Sequence, residues 1–118
     1  MSYTYTIPQI ATDKNKIQAG AINLMLELDL MEGNAPLDVS SANVINIIIQ
    51  KPDNSFITYP AMFRTDGTDG KIYHLTVAKD IDMGGDYYIQ SYLEMPNFKG
   101  YSTPVKFTVY ENIPISSN

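Results

Sequence analysis

Hydrophobic and polar residues alternate with a period of two along most of this chain. Ile22, Leu24, Leu26, Leu28 and Leu30 take every second place, with Asn23, Met25, Glu27 and Asp29 between them. Such alternation predicts a half-buried strand. Leucine also favours helices, but a helix would spread these leucines around its circumference. Val44 to Gln50 predicts a second strand, with Ile45, Ile47 and Ile49 on one face and Ile48 on the other. That density of β-branched residues marks a central position in a sheet. Phe56 to Phe63 predicts a third strand, which Pro60 confines to an edge or bends at a bulge, because proline cannot donate to a ladder. Lys71 to Ala78 sets Tyr73, Leu75 and Val77 against Ile72, His74 and Thr76. Tyr87 to Met95 and Thr103 to Val109 follow, separated by a loop through Pro96 and Gly100, and Tyr3 to Ile10 is a weaker strand interrupted by Pro8.

Turn residues stand where these runs stop. Gly33, Asn34 and Pro36 break the first, Lys51-Pro52-Asp53-Asn54-Ser55 the second, and Thr65-Asp66-Gly67-Thr68-Asp69-Gly70 is the sharpest turn signal of all. A carboxylate and glycine turn, Asp80 to Asp86, leads into a tyrosine-rich strand, and Val105, Phe107 and Val109 close the pattern. This is how the last hairpin of an immunoglobulin-like sandwich is usually written, with Tyr87 placed to bond the preceding turn as a tyrosine corner. The expectation is an all-β, immunoglobulin-like β-sandwich of about seven antiparallel strands. Residues 1–118 form one domain in this reading, with 1–19 a loosely held N-terminal segment and 112–118 a tail.

Composition narrows the function classes. Hydrophobic residues make up 44% and charged ones 18%, a balance that folds rather than remains disordered. The net charge is −5, with Arg64 the only arginine and no basic stripe, which argues against nucleic acid. Absence of cysteine removes disulfides, thiolate chemistry and the usual structural zinc sites. The N-terminal residues carry no secretory signal and no apolar stretch is long enough to span a bilayer, so synthesis and folding in a cytoplasm, away from membranes, are expected.

Few residues suggest chemistry. His74 is the only histidine, and without a second ligating or orienting group it reads as an ordinary strand residue. No Gly-x-Ser-x-Gly elbow occurs, and no catalytic residue or cofactor is expected. Asp66 and Asp69 in one turn, and Asp80, Asp82 and Asp86 in another, supply oxygens of the kind calcium takes. Neither turn has EF-hand spacing, and aspartate with glycine is ordinary turn chemistry. The nine tyrosines carry more weight. Tyr88 and Tyr92 share one face of their strand, Tyr87 points the other way, and Tyr59, Tyr101 and Tyr110 are further candidates for exposure. Such rings suit protein interfaces and sugar stacking alike, or simply cover the sheet.

In order and spacing, several segments resemble a known family. They are Leu28-x-Leu30 leading to Ala35-Pro36-Leu37-Asp38-Val39, the isoleucine strand into Lys51-Pro52-Asp53, Gly85-Asp86-Tyr87-Tyr88 into Leu93-Glu94, and Thr103 to Val109. Over residues 20–111 the chain resembles the N-terminal immunoglobulin-like domain of phage baseplate upper proteins, also found at the base of upper tail fibres of siphophages of Gram-positive hosts. The resemblance implies an attachment module without catalytic residues, and a departure is that no heptads follow before Asn118. It leads to the expectation of a non-enzymatic structural protein of a virion: a baseplate, tail-fibre attachment or decoration subunit. Its partners would be other virion proteins and further copies of itself, met through the candidate contacts Tyr59, Phe63, Tyr88 and Tyr92. The rival is a carbohydrate-binding or host-adhesion module using the same tyrosines.

Overall fold

The computed structural model describes residues 17–113. Every regular element among them is a strand, as the period of two requires. The large sheet runs in the order β1 (Ile17–Gln18), β11 (Val105–Tyr110), β9 (Gly85–Met95), β5 (Val44–Gln50) and β6 (Phe56–Pro60), with β10 (Phe98–Tyr101) also paired to β9. The small sheet has the order β2 (Met25–Asp29), β8 (Lys71–Leu75) and β7 (Met62–Phe63). A short hairpin, β3 (Met31–Glu32) with β4 (Ala35–Pro36), stands apart from both.

One core joins the two sheets. Leu26, Leu28 and Ile72 of the small sheet pack in the same cluster as Ile47, Ile49, Ile89, Leu93, Phe107 and Val109 of the large one. Alternation decides which residues these are, since neighbours along each strand point to opposite faces. The isoleucine strand β5 is central, paired on both sides by β9 and β6. The edge expected from Pro60 is also found. Ala61 N–H makes a bond to the Ile45 carbonyl, after which Met62 and Phe63 pair with β8, so the chain changes sheets directly after the proline.

Four expectations are corrected. The first strand begins at Met25 because Asn23 takes a left-handed φ of 59°, which turns Ile22 out to 59% exposure. Asparagine tolerates that region better than most residues. β8 stops at Leu75, where Thr76 remains buried and its hydroxyl donates to the Ala21 carbonyl and accepts from Leu24 N–H. The loop through Pro96 and Gly100 is instead a hairpin, with β10 turning back on β9 across Pro96-Asn97. Finally, Ile17 to Ala19 are held. Ile17 is a core residue, β1 pairs in parallel with β11, and Ala19 N–H donates to Tyr110. Asn112, assigned to the tail, donates from its amide to the Ala19 carbonyl at 2.8 Å. The strand expected at Tyr3 to Ile10 lies outside the described residues.

Tyr87 does what its place in the sequence suggests. Its ring is buried and stacked on Phe107, with centroids 5.3 Å apart. The hydroxyl donates to the Met83 carbonyl at 2.6 Å and accepts from Met83 N–H at 3.3 Å, which ties the turn before β9 to the core. Four residues further along β9, on the same inward face, Ser91 is fully buried and its Oγ has no partner. These two hydroxyls give opposite expectations in urea denaturation. Tyr87→Phe leaves a buried turn unsatisfied and should cost about 1–3 kcal/mol. Ser91→Ala removes an orphan oxygen and should leave stability equal or slightly raised; a loss above about 1 kcal/mol would show that the hydroxyl has a partner after all.

Candidate functional site

The outer face of the large sheet is where side chains with binding potential converge. Along β9, Tyr87, Ile89, Ser91 and Leu93 point into the core, which sends Tyr88, Gln90 and Tyr92 outward. The ladders then lay Phe56, Gln50 and Tyr88 in one row across β6, β5 and β9, and Thr58, Ile48 and Gln90 in the next. Tyr101 of β10 stands opposite Tyr92.

A β-bulge builds the remaining wall. β10 sets Tyr101 against Tyr92, whereas β11 sets Val105 against Ile89, so Ser102, Thr103 and Pro104 oppose only Ser91 and Gln90. The extra residue is accommodated by Ser102, whose N–H donates to the Ser91 carbonyl and whose hydroxyl accepts from Ser91 N–H at 2.7 Å. Bulges bend a strand and redirect side chains. Here the result is a groove of about 420 Å³ lined by Ile48, Gln50, Phe56, Tyr88, Gln90, Tyr101 and Pro104. Gln90 is fixed by donating to the Ser102 carbonyl at 2.7 Å. Three aromatic side chains and two amides, with no charged residue among the lining groups, suit a neutral, partly apolar surface or ligand.

Of the expected contacts, Tyr88 lines this groove and is 43% exposed. Tyr92 lies beside it, half-buried, with its ring 4.9 Å from that of Tyr101 and its hydroxyl donating to Glu94 at 2.6 Å. That bond to a carboxylate raises the Tyr92 pKa. Phe63 is half-buried against the core and its ring closes over Gly67. Tyr59 faces Ile47 on the inward side of β6 and is half-buried against the core. Phe56, Gln50, Gln90 and Pro104 were not anticipated. A signal existed for Ile48, which alternation had placed on the face opposite Ile45, Ile47 and Ile49.

Tyr59 turns inward to meet Asp80. This carboxylate is fully buried and accepts from the Tyr59 hydroxyl, from Val77 N–H at 2.9 Å, and lies 2.8 Å from His74 Nε2. The Tyr59 and His74 rings stack with centroids 3.9 Å apart. His74 is thus part of a polar cluster between the sheets, rather than a solitary strand residue. Burial first, and then the bond to Asp80, push the Tyr59 pKa up to about 12, so its phenol is protonated and engaged at neutral pH.

The other aspartates are engaged within their turns or by neighbouring segments. Asp66 accepts from Thr68, which lowers its pKa; Asp69 accepts from Lys71 N–H and Thr65, Asp82 pairs with Lys51, and Asp86 accepts from Thr108. Among the described residues no group of three or more metal-ligating side chains is gathered.

Asp80→Ala strips a buried network of its acceptor and should cost about 3–5 kcal/mol, seen as a large drop in thermal midpoint. A change below about 1 kcal/mol would mean that water replaces the carboxylate freely. In alkaline titration, Tyr59 should be among the last phenols to ionise. Its proton-bound form is favoured by the fold, so its stabilising effect is complete below the ordinary tyrosine value of 10.0 and is lost as pH rises through about 12. Tyr59→Phe should remove that late step from the phenolate absorbance curve.

Searched against protein-family models and curated proteins, the chain matches none.

Proposed function

We propose that this chain is an immunoglobulin-like, non-enzymatic structural module of a phage particle that works through protein–protein contact. The observation that carries this reading is the aromatic groove on the outer face of the large sheet, a surface fit for contact whose lining holds no Asp, Glu, Lys, Arg or His. The strand order supports the immunoglobulin-like assignment. β2, β8 and β7 form one layer, and β11, β9, β5 and β6 the other, with a tyrosine corner ahead of β9. The order of motifs from Leu28 to Val109 supports the phage setting through its resemblance to baseplate upper proteins and tail-fibre bases.

In this reading Tyr88, Tyr101 and Phe56 are the contact residues, with the Tyr92 ring packed beside that of Tyr101. Rings of this kind anchor interfaces because each buries a large apolar area and keeps a polar tip. The module is made in the host cytoplasm and carried in the virion, where it joins neighbouring subunits in a baseplate, fibre attachment or decoration role. A saccharide is the second reading, favoured by one observation: Gln50 and Gln90 set amides beside the rings, a pairing that also suits sugar hydroxyls.

Antibody labelling of particles by electron microscopy tests the proposal. Label at one discrete place on the virion is expected; particles bare of label would sink it. The double substitution Tyr88→Ser with Tyr101→Ser should keep the fold and reduce incorporation into particles, by roughly 30-fold in affinity if either ring is a hot spot. Saccharide-dependent change in tyrosine fluorescence, abolished by the same double substitution, would favour the second reading instead.

A further inference from the structure

The edge of the large sheet, beside the groove, holds unpaired backbone. Lys51 N–H donates to the Ser55 carbonyl at 2.7 Å and Ala61 N–H to the Ile45 carbonyl at 2.9 Å, one at each end of the β5–β6 ladder. Antiparallel pairs alternate between bonded and non-bonded positions. Ile57 and Tyr59 therefore direct their backbone groups toward β5, while Phe56, Thr58 and Pro60 direct theirs away from it. Among the described residues no strand pairs with that side of β6. The edge offers N–H groups from Phe56 and Thr58, and carbonyls from Phe56, Thr58 and Pro60.

Natural edges are commonly blunted by charge. This one is not, since no Asp, Glu, Lys or Arg occurs from Asn54 to Phe63. By contrast β2, at the edge of the small sheet, carries Glu27 and Asp29. Phe56 at the end of β6 is also the most exposed aromatic side chain among the described residues, at 69%.

We propose that two copies of this chain join edge to edge through β6, antiparallel, in the register that sets Phe56 of each copy against Thr58 of the other. Each Phe56 N–H then meets a Thr58 carbonyl, and each Thr58 N–H a Phe56 carbonyl. Pro60, which has no N–H, falls outside the paired stretch. Setting Thr58 against Thr58 instead would bring Pro60 opposite Phe56 and leave that carbonyl without a donor. The chosen register is its own complement in bulk as well, a large ring against a small side chain. Phe56 and Thr58 both project onto the outer face, so each Phe56 ring is covered beside the Ile48 end of the other copy's groove. The seam is uncharged, and the net charge of −5 on each copy is spread elsewhere and screened by salt.

The dimer rests on reading this domain as a contact module, yet the two fail separately: a monomer that still labels particles overturns the dimer alone. Sedimentation equilibrium from about 1 µM to about 1 mM is the test. A concentration-dependent shift from monomer to dimer is expected. Thr58→Pro deletes an outward N–H and no bond within the monomer, so circular dichroism should be unchanged while dimerisation weakens at least about tenfold. Thr58→Lys keeps the backbone intact and places charge at the seam, with the same expected loss, and it carries the test if the proline variant does not fold. A wild-type chain that stays monomeric throughout, or a dimer that neither substitution weakens, overturns the proposal.

Discussion

A single buried carboxylate sets much of this architecture. Asp80 lies in the turn between β8 and β9, yet it gathers Tyr59 from β6 of the large sheet and His74 from β8 of the small one. A carboxylate out of water is costly unless its lone pairs are met by donors. Here phenol, imidazole and the Val77 amide meet them, so the cost of burial becomes a requirement that three separate segments sit together. Tyr59, which the β5–β6 register sets on the inward face opposite Ile47, is thereby tied to the turn before β9. Nearby, Lys51 donates to the Lys79 carbonyl and pairs with Asp82, which fixes the same turn from its other side.

The two outer faces of the fold are finished differently. On the small sheet, Arg64 covers Glu27 and Lys71 pairs with Asp29 at 3.0 Å, with Met62 and Leu75 exposed among these charges. The more exposed Lys71–Asp29 pair contributes little stability, about 0–1 kcal/mol, whereas Arg64 supplies the partner that the buried Glu27 carboxylate needs. On the large sheet the groove is lined by rings, amides and aliphatic side chains, while Lys106 stands next to Tyr88 and pairs with Asp86 at its border. What distinguishes the large sheet is therefore an uncharged patch across β6, β5 and β9, with charge at its border.

How much could be read from the sequence depended on how far each residue's partner lies along the chain. The core positions Leu26, Leu28, Ile47 and Ile49 were legible because alternation is local. The tyrosine corner was legible for the same reason, since Tyr87 bonds a residue four places earlier. The tie between Tyr59 and Asp80 was not legible, because the two lie twenty-one residues apart and neither marks the pattern around the other. β1 was taken for loose chain because what holds it, β11, lies at the opposite end of the sequence. β10 was hidden by Pro96 and Gly100, which signal a loop whether or not the chain then pairs. The groove depends on a bulge, which appears only when the two ladder registers are compared.

The parallel pairing of β1 with β11 has a mechanical consequence. Ile17 and Gln18 run alongside Val109 and Tyr110 in the same direction, and amide bonds from Ala19 and Asn112 extend the seam. A pull that drew the chain before Ile17 one way and the chain after Tyr110 the other would slide these strands along each other. The bonds across the seam would then share the load together, instead of opening one after another as they would if peeled from an end. Tension along the chain therefore meets this short seam in shear, the direction in which a few hydrogen bonds resist best.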